Sequence, residues 1–353
     1  MTTAVAKSEN SYMADMKEKW SAFKKENPKV RIRNAADDLC VSEAELVATG
    51  IGETATRLNK DWGGIIKGFE TLGEILCITR NDDAVHEKVG KFACVSISPG
   101  HALVLNREID LRIFFGNWHF GFAVQEETRN GIRKSLQFFD LSGSSVHKVY
   151  LRDDSDHDAY DDLVNRFRAE DQCEEIVTVA PAPVPVEADD STIDADGMRQ
   201  HWLALQDTHD FIELLRDFGV ARQQALRLVG DDLAFEVLPT AFRYALEKAA
   251  ETSLSIMVFV GNKGCIQIHT GPIKRVVEAQ GWLNILDPGF DLHVRENQID
   301  RAWVVRKPTV DGIVTSLELF DKEGRQILIM FGERKPNNPE LTEWAELCAE
   351  LPK

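Results

Sequence analysis

The sequence predicts an α+β protein in which one domain, a large antiparallel sheet flanked by helices, occurs twice in tandem. Three observations carry this expectation. The chain has 353 residues, room for two domains of roughly 100 to 200 residues each. Its second half repeats the first in a fixed register. Within each half helical periodicity comes first and strand alternation follows, which favours α+β over a doubly wound sheet.

The repeat is read by shifting the chain by 181 residues. This places Asn81 on Asn262, Gly90 on Gly271 and Asp110-Leu111 on Asp291-Leu292. The same shift superposes Gly131-Ile132 on Gly312-Ile313, Ser135-Leu136 on Ser316-Leu317, Phe139-Asp140 on Phe320-Asp321 and Gly143 on Gly324, without a gap. Upstream the offset slips to 180 for Leu46 and Gly50 (Leu226 and Gly230) and to 182 for Trp20 and Ala22 (Trp202 and Ala204). The copies are expected at residues 13–179 and 198–353. Between them, residues 180–197 read as a linker, with Pro181, Pro183 and Pro185 followed by Glu187, Asp189, Asp190, Asp194 and Asp196.

In the second copy Phe211, Leu214, Leu215 and Phe218 fall at i, i+3, i+4 and i+7, and Gly219 supplies a stop, so Asp210 to Phe218 is expected as an amphipathic helix. Strand alternation is clear at Ile109 to Phe115, where Ile109, Leu111 and Ile113 face one way and Asp110, Arg112 and Phe114 the other. Similar runs occur at 135–139, 147–151, 303–305, 316–320 and 327–331. Turns such as Leu141-Ser142-Gly143-Ser144 and Lys322-Glu323-Gly324-Arg325 end several of them.

Composition narrows the class of function. With 43% hydrophobic and 28% charged residues, the chain reads as soluble and globular. A net charge of -17 opposes nucleic acid and anionic lipid as partners. That charge is local, because residues 153–196 hold 15 acidic residues against two basic ones and read as a solvated spacer. The six cysteines, at 40, 77, 94, 173, 265 and 348, form no Cys-x-x-Cys pair, so neither a zinc site nor a disulfide framework is expected. Scattered thiols, an N-terminus Met1 to Met13 without a signal-peptide apolar run, and no 18-residue apolar window point to a cytoplasmic location without membrane insertion. Gly-x-Gly-x-x-Gly, phosphate-loop and Gly-x-Ser-x-Gly motifs are absent.

Candidate site residues are those that break the repeat with chemically capable side chains. His209, in Asp207-Thr208-His209-Asp210-Phe211, stands opposite Asn27 at an offset of 182 and sits at a helix start, with Asp207 or Thr208 expected as N-cap. The positive helix end disfavours imidazolium and leaves a lone pair for a metal. The alternative is a capping or surface histidine. Arg112 stands opposite His293 and shares a strand face with Asp110 and Phe114; a plain Arg112 and Asp110 pair is the alternative. His293 and His269 read as structural strand histidines. Arg222, expected at the start of the next helix, and Lys307, opposite Glu126, add positive charge to the second copy only. Together they suggest a pocket for carboxylates or phosphates.

Several runs then carry a resemblance. Asp207 to Phe211, Phe259 to Gly271 (FVGNKGCIQIHTG), Trp282 to Pro288 (WLNILDP), Trp303 to Pro308 (WVVRKP) and Thr315 to Asp321 (TSLELFD) resemble the HemS/HmuS family of bacterial cytoplasmic haemin-transport and haemin-degrading proteins. The similarity covers nearly the whole chain after the first dozen residues. It implies a tandem-repeat fold that binds haem b, iron protoporphyrin IX. It further implies His209 as the proximal iron ligand, Arg112 as a catalytic residue on the distal side, Arg222 and Lys307 near the propionates, and Phe114 and Phe331 against the porphyrin. Some members place a tyrosine hydroxyl and a glutamine where this chain has Phe331 and Ile329, so a propionate or distal hydrogen bond is expected to be missing, with haem held less firmly or by Arg222 and Lys307 alone. Implied partners are haem, a haem oxygenase and an inner-membrane haem importer. The role is either transfer of imported haem to that oxygenase or opening of the macrocycle by this chain itself.

Overall fold

The computed structural model describes residues 2–129, 131–334 and 338–353, with side chains from Tyr12 onward. Within the stretch Met1 to Met13, Met1 lies outside the described residues and the rest is helical. In chain order the first half holds helices α1 (Thr2–Glu26), α2 (Ile32–Leu39) and α3 (Glu43–Ala48), strand β1 (Ala55–Arg57) and helix α4 (Trp62–Gly68). Strands β2 (Glu74–Arg80), β3 (Ala84–Lys91), β4 (Val95–Ser98), β5 (His101–Leu105), β6 (Asp110–Phe114), β7 (Phe120–Thr128), β8 (Gly131–Phe139) and β9 (Ser145–Leu151) follow, then helix α5 (His157–Phe167). The second half repeats this series. It holds α6 (Ala195–Leu203), α7 (Asp210–Asp217), α8 (Arg222–Leu228), β10 (Ala234–Val237) and α9 (Ala241–Thr252). Then come β11 (Ser255–Gly261), β12 (Cys265–Pro272), β13 (Val276–Ala279), β14 (Trp282–Asp287), β15 (Phe290–Val294), β16 (Arg301–Thr309), β17 (Gly312–Phe320), β18 (Gln326–Gly332) and α10 (Thr342–Ala349).

Strands β2, β3, β4, β5, β7, β8 and β9 each begin 181 residues before their counterparts, so the register read from sequence holds in the fold. Even a ladder irregularity repeats, between Phe138 and Phe139 and between Leu319 and Phe320. By contacts the chain forms two units. The first is Met1–Arg80 with Glu87–Ala182 and Asn262–Ile266; the second is Asn81–His86 with Pro183–Gly261 and Gln267–Lys353.

In the first unit the strands run β1-β7-β8-β9-β2 and β4-β5-β6, every neighbouring pair antiparallel. In the second they run β10-β16-β17-β18-β11 and β13-β14-β15, again antiparallel. This is the α+β class that the clustered strands predicted.

Alternation puts apolar side chains on both faces of each sheet, and helices bury both. In the first unit Leu136, Phe138 and Val149 pack with α4 and α5 through Ile65, Ile66, Tyr160 and Leu163. Phe122, Val124 and Phe139 pack with α3 through Ala44, Val47 and Ala48. In the second unit Val304, Leu317 and Met330 pack with α9 and α10, and Trp303, Val305 and Phe320 with α6, α7 and α8. Each buried Phe or Leu in these layers contributes about 1.5 to 3 kcal/mol relative to exposure.

The matched asparagines perform one task twice. Asn81 Nδ2 donates to the carbonyls of Gly261 and Ile327 at 3.1 and 2.8 Å, while its Oδ1 accepts from the backbone of Asp83 and Ala84. Asn262 Nδ2 donates to Arg80 and Val146 at 2.9 and 2.8 Å, and its Oδ1 accepts from Gly264 and Cys265. An amide suits this turn because its Nδ2 donates two bonds while its Oδ1 accepts two, which an ionised carboxylate cannot do.

The stretch 180–197 has neither helix nor strand before Asp189, as its prolines predict, but its acidic residues are more than a solvated spacer. Asp194 caps α6 by accepting the Gly197 N–H at 2.9 Å. Asp190 accepts from Gln224 at 2.9 Å and from Arg227 at 2.5 and 2.9 Å. A carboxylate at a helix start is the usual acceptor for its orphan N–H groups, so spacer composition and capping chemistry coincide here.

One buried polar inset distinguishes the first unit. His147 is fully buried, with Nδ1 2.8 Å from Thr79 Oγ1 and 3.9 Å from Cys265 Sγ. The repeat puts Leu328, Val260 and Ala84 at the corresponding places in the second unit. Burial lowers the imidazole from 6.5 to about 3, so the folded chain holds the ring neutral. The unfolded chain takes up the extra proton below its ordinary value, so this contribution to stability is complete above about pH 6.5 and is lost as pH falls towards 3. His147→Leu, the residue of the other copy, is expected to flatten urea stability between pH 6.5 and 4, where the native chain loses on the order of 3 kcal/mol. Parallel pH curves for the two proteins would count against this account.

Candidate functional site

Of the candidate residues, the structure places Arg112 and Phe114 in the first unit and His209, Arg222, Lys307 and Phe331 in the second. His209 precedes α7, whose buried Phe211 and Leu214 and half-buried Leu215 and Phe218 form the predicted apolar stripe. Gly219 ends the helix with φ +62. Two expectations are corrected. The N-cap is His209 itself, in helical geometry and with no side-chain cap bond, not Asp207 or Thr208. Moreover the two helices end alike at an offset of 179, with left-handed Cys40 and Gly219 after them and Val41 and Val220 donating to Ala36 and Leu215, so His209 corresponds to Val30 and not to Asn27. Loops absorb insertions that strands cannot, which is why the offset drifts only in the helical region.

Asp207 does different work. Its Oδ1 accepts the backbone N–H of His209 at 2.8 Å and faces the ring Nδ1 at 2.5 Å. Those two contacts, the backbone bond first, hold the Asp207 carboxyl below its usual range. Asp210 reaches back to the backbone N–H of Asp207 at 2.9 Å. In a neutral ring, a carboxylate facing Nδ1 accepts that nitrogen's proton and leaves Nε2 as the lone-pair nitrogen. The ring is 87% exposed, so this arrangement points outward and is not part of a core.

Arg222 and Lys307 converge, as the charge asymmetry suggested, but on a carboxylate of the chain. Glu318, on β17, is fully buried and accepts Arg222 Nε at 2.6 Å, Arg222 Nη2 at 2.8 Å and Lys307 Nζ at 2.9 Å. Ser316 Oγ adds a bond at 3.0 Å and Gln326 Nε2 one at 3.4 Å. Burial pushes the Glu318 carboxyl up, yet Arg222 and Lys307 outweigh it and hold the group well below the carboxylate range. Burial, with Arg222 beside it, lowers Lys307 below the ordinary lysine range against the pull of Glu318. Lys307 is 3% exposed, whereas the Arg222 side chain keeps 23% of its surface. The sequence reading missed Glu318. Its signal is an acid on the Ser316 face of a strand that helices cover, where the first copy has Gln137.

Across β17 and β18, Ile329 stands opposite Glu318 and Phe331 opposite Ser316. Phe331 is half-buried and packs edge-on against Phe259 at 5.1 Å. In the first unit Arg112 and Asp110 are paired, the plainer alternative, on the face that Phe114 shares. Burial raises the Asp110 carboxyl, and Arg112 opposes that rise. Opposite Phe114, Arg112 and Asp110 on β5 stand His101, Leu103 and Leu105, so this face is partly apolar and partly exposed. His293 Nδ1 is satisfied by Asn284 Oδ1 at 2.6 Å, and His269 stacks on Phe290 at 3.8 Å, which fits their structural reading.

Comparison with known proteins sets this geometry in context. A family model described as the haemin-degrading HemS.ChuX domain matches the chain twice, at residues 40–167 and 219–351. The chain is 40% identical over 344 residues to the hemin transport protein HmuS of Yersinia pestis, covering 96% of this chain and 97% of that one. It superposes on holo-PhuS, a heme-binding protein from Pseudomonas aeruginosa, with TM-score 0.94 and 43% identity, covering 96% and 99% of the two chains. It superposes on the heme degrading enzyme ChuS of Escherichia coli O157:H7 with TM-score 0.89 and 40% identity, covering 97% and 100%. The chain therefore belongs to the HemS family, with two copies of the family's domain.

Proposed function

We propose that this protein binds haem b through His209 and passes it to a haem oxygenase. The observation that carries the reading is the outward His209 ring, with Nδ1 facing the Asp207 carboxylate and Nε2 turned away from it. One imidazole is a single donor, and among the described residues no group of three or more His, Cys, Asp or Glu side chains is arranged to hold a bare ion. A metal that brings its own macrocycle needs only such an axial donor. Bound haem supplies the iron centre and its redox chemistry; the chain supplies orientation and charge. Arg222, whose guanidinium remains partly exposed beside Glu318, is the cation we assign to a propionate, and Phe331 offers aromatic surface to the porphyrin. Phe331 and Ile329 provide no hydroxyl or amide for a second propionate bond. Family membership and the haem-binding and hemin-transport relatives support this reading.

An inner-membrane haem importer is the expected donor and the cytoplasm the expected setting. Among the described residues no helix is long and apolar enough to cross a membrane.

A second reading, that the protein itself opens the macrocycle, is favoured by the likeness to a heme degrading enzyme. In it Arg112 takes the distal role, which requires its guanidinium to exchange Asp110 for a ligand on the iron side. Incubating the haem complex with ascorbate or a reductase, with catalase present, decides between the two. Transfer predicts intact haem, whereas a defined tetrapyrrole product would establish the enzyme. If product forms, Arg112→Ala is expected to slow its formation more than it weakens binding, and equal losses would remove the distal assignment.

Titration with haemin is expected to give a saturable Soret band, and His209→Ala to shift that band and weaken binding by about 100-fold. Asp207→Asn, which keeps shape but removes the carboxylate, is expected to cost about tenfold, the scale of a lost outer-shell partner of a ligating histidine. An unchanged band and affinity in His209→Ala would show that another residue holds the iron.

A further inference from the structure

An 87% exposed ring has little packing of its own, so the position of His209 is set by its short loop and by the docking of α7. That docking runs through Phe211, two residues on, which is fully buried and packs edge-on against Trp202 at 4.6 Å. Its ring also receives two cations. Lys307 Nζ lies 4.5 Å from the centroid and Arg222 Cζ 4.9 Å from it. Both are held there by one acceptor, Glu318. Cation–π contacts at a buried ring are strong enough to matter for an eight-residue helix, which is marginal on its own.

We infer that Lys307 and Glu318 are positioning residues, which place His209 through Phe211 and helix α7 and not by touching the ligand. The burial of Lys307 supports this, since its ammonium is enclosed by Glu318 and the Phe211 ring and has almost no surface to offer a propionate. The inference rests on His209 as the iron ligand but assigns Lys307 a different part from Arg222.

Haemin and haemin dimethyl ester, whose carboxylates are blocked, separate positioning from propionate binding. Lys307→Met is expected to weaken both by the same factor, about tenfold, the scale of one lost cation–π contact. Phe211→Leu and Glu318→Gln are expected to do the same, and Lys307→Arg to recover most of the loss. Without any haem, amide hydrogen exchange over residues 210–214 is expected to quicken in Lys307→Met. Should Glu318→Gln fail to fold, Phe211→Leu tests the same link. Loss confined to haemin with unchanged exchange would make Lys307 a propionate ligand and overturn the inference, as would unchanged binding of both compounds. His209→Ala is the separating control: if it binds the ester as the native protein does, the iron-ligand reading fails, while the exchange data still report whether Lys307 fixes α7.

Discussion

A carboxylate buried in a sheet face must be compensated, and the second unit is organised around that demand. Glu318 loses its water and receives Arg222, Lys307 and Ser316 in return. The two cations leave the cluster one positive charge in excess. They also lie over Phe211, so the ion cluster reaches the helix that carries His209. The first unit solves a similar problem with the charges exchanged. Glu43, the first residue of α3, pairs in the interior with Lys148 on β9, and that pair is balanced. In the second unit the helix supplies the cation instead, Arg222 opposite Ser42 with Gln223 opposite Glu43, and the counterpart of Lys148 is Ile329. One fold thus carries a neutral pair in one copy and a cationic cluster in the other, which is where the excess charge for an anionic ligand resides.

Much of this was legible in the sequence because strands resist insertion. The offset of 181 runs from Asn81 to Gly143 in the first copy and from Asn262 to Gly324 in the second, and it matches the ladders, their turns and the equivalent asparagines. Asking where the copies differ singled out His209, Arg112, Arg222 and Lys307. What the cations bind was not legible. Arg222 and Glu318 are 96 residues apart and Lys307 and Glu318 are 11 apart, and only the β16 to β18 ladder and the docking of α8 bring them together. Glu318 itself was hidden inside the TSLELFD motif, where an alternating acid looks solvent-facing unless helices are known to cover that face. Asp207 was misread for a local reason: an aspartate two residues before a histidine can cap a helix or orient a ring, and spacing alone does not choose.

The functional reading joins an outward imidazole whose Nδ1 faces a carboxylate, a partly exposed arginine beside a buried ion cluster, and membership of a family whose relatives include hemin-transport, heme-binding and heme-degrading proteins. The net charge of -17 does not conflict with an anionic ligand, because 15 of the acidic residues lie in residues 153–196 and the cations at issue lie elsewhere. The central claim is that His209 Nε2 binds haem iron. Resonance Raman spectroscopy of the ferrous haem complex tests it most directly. The account predicts an iron–histidine stretching band that moves with the iron isotope and disappears in His209→Ala; the same band persisting in that variant would contradict it.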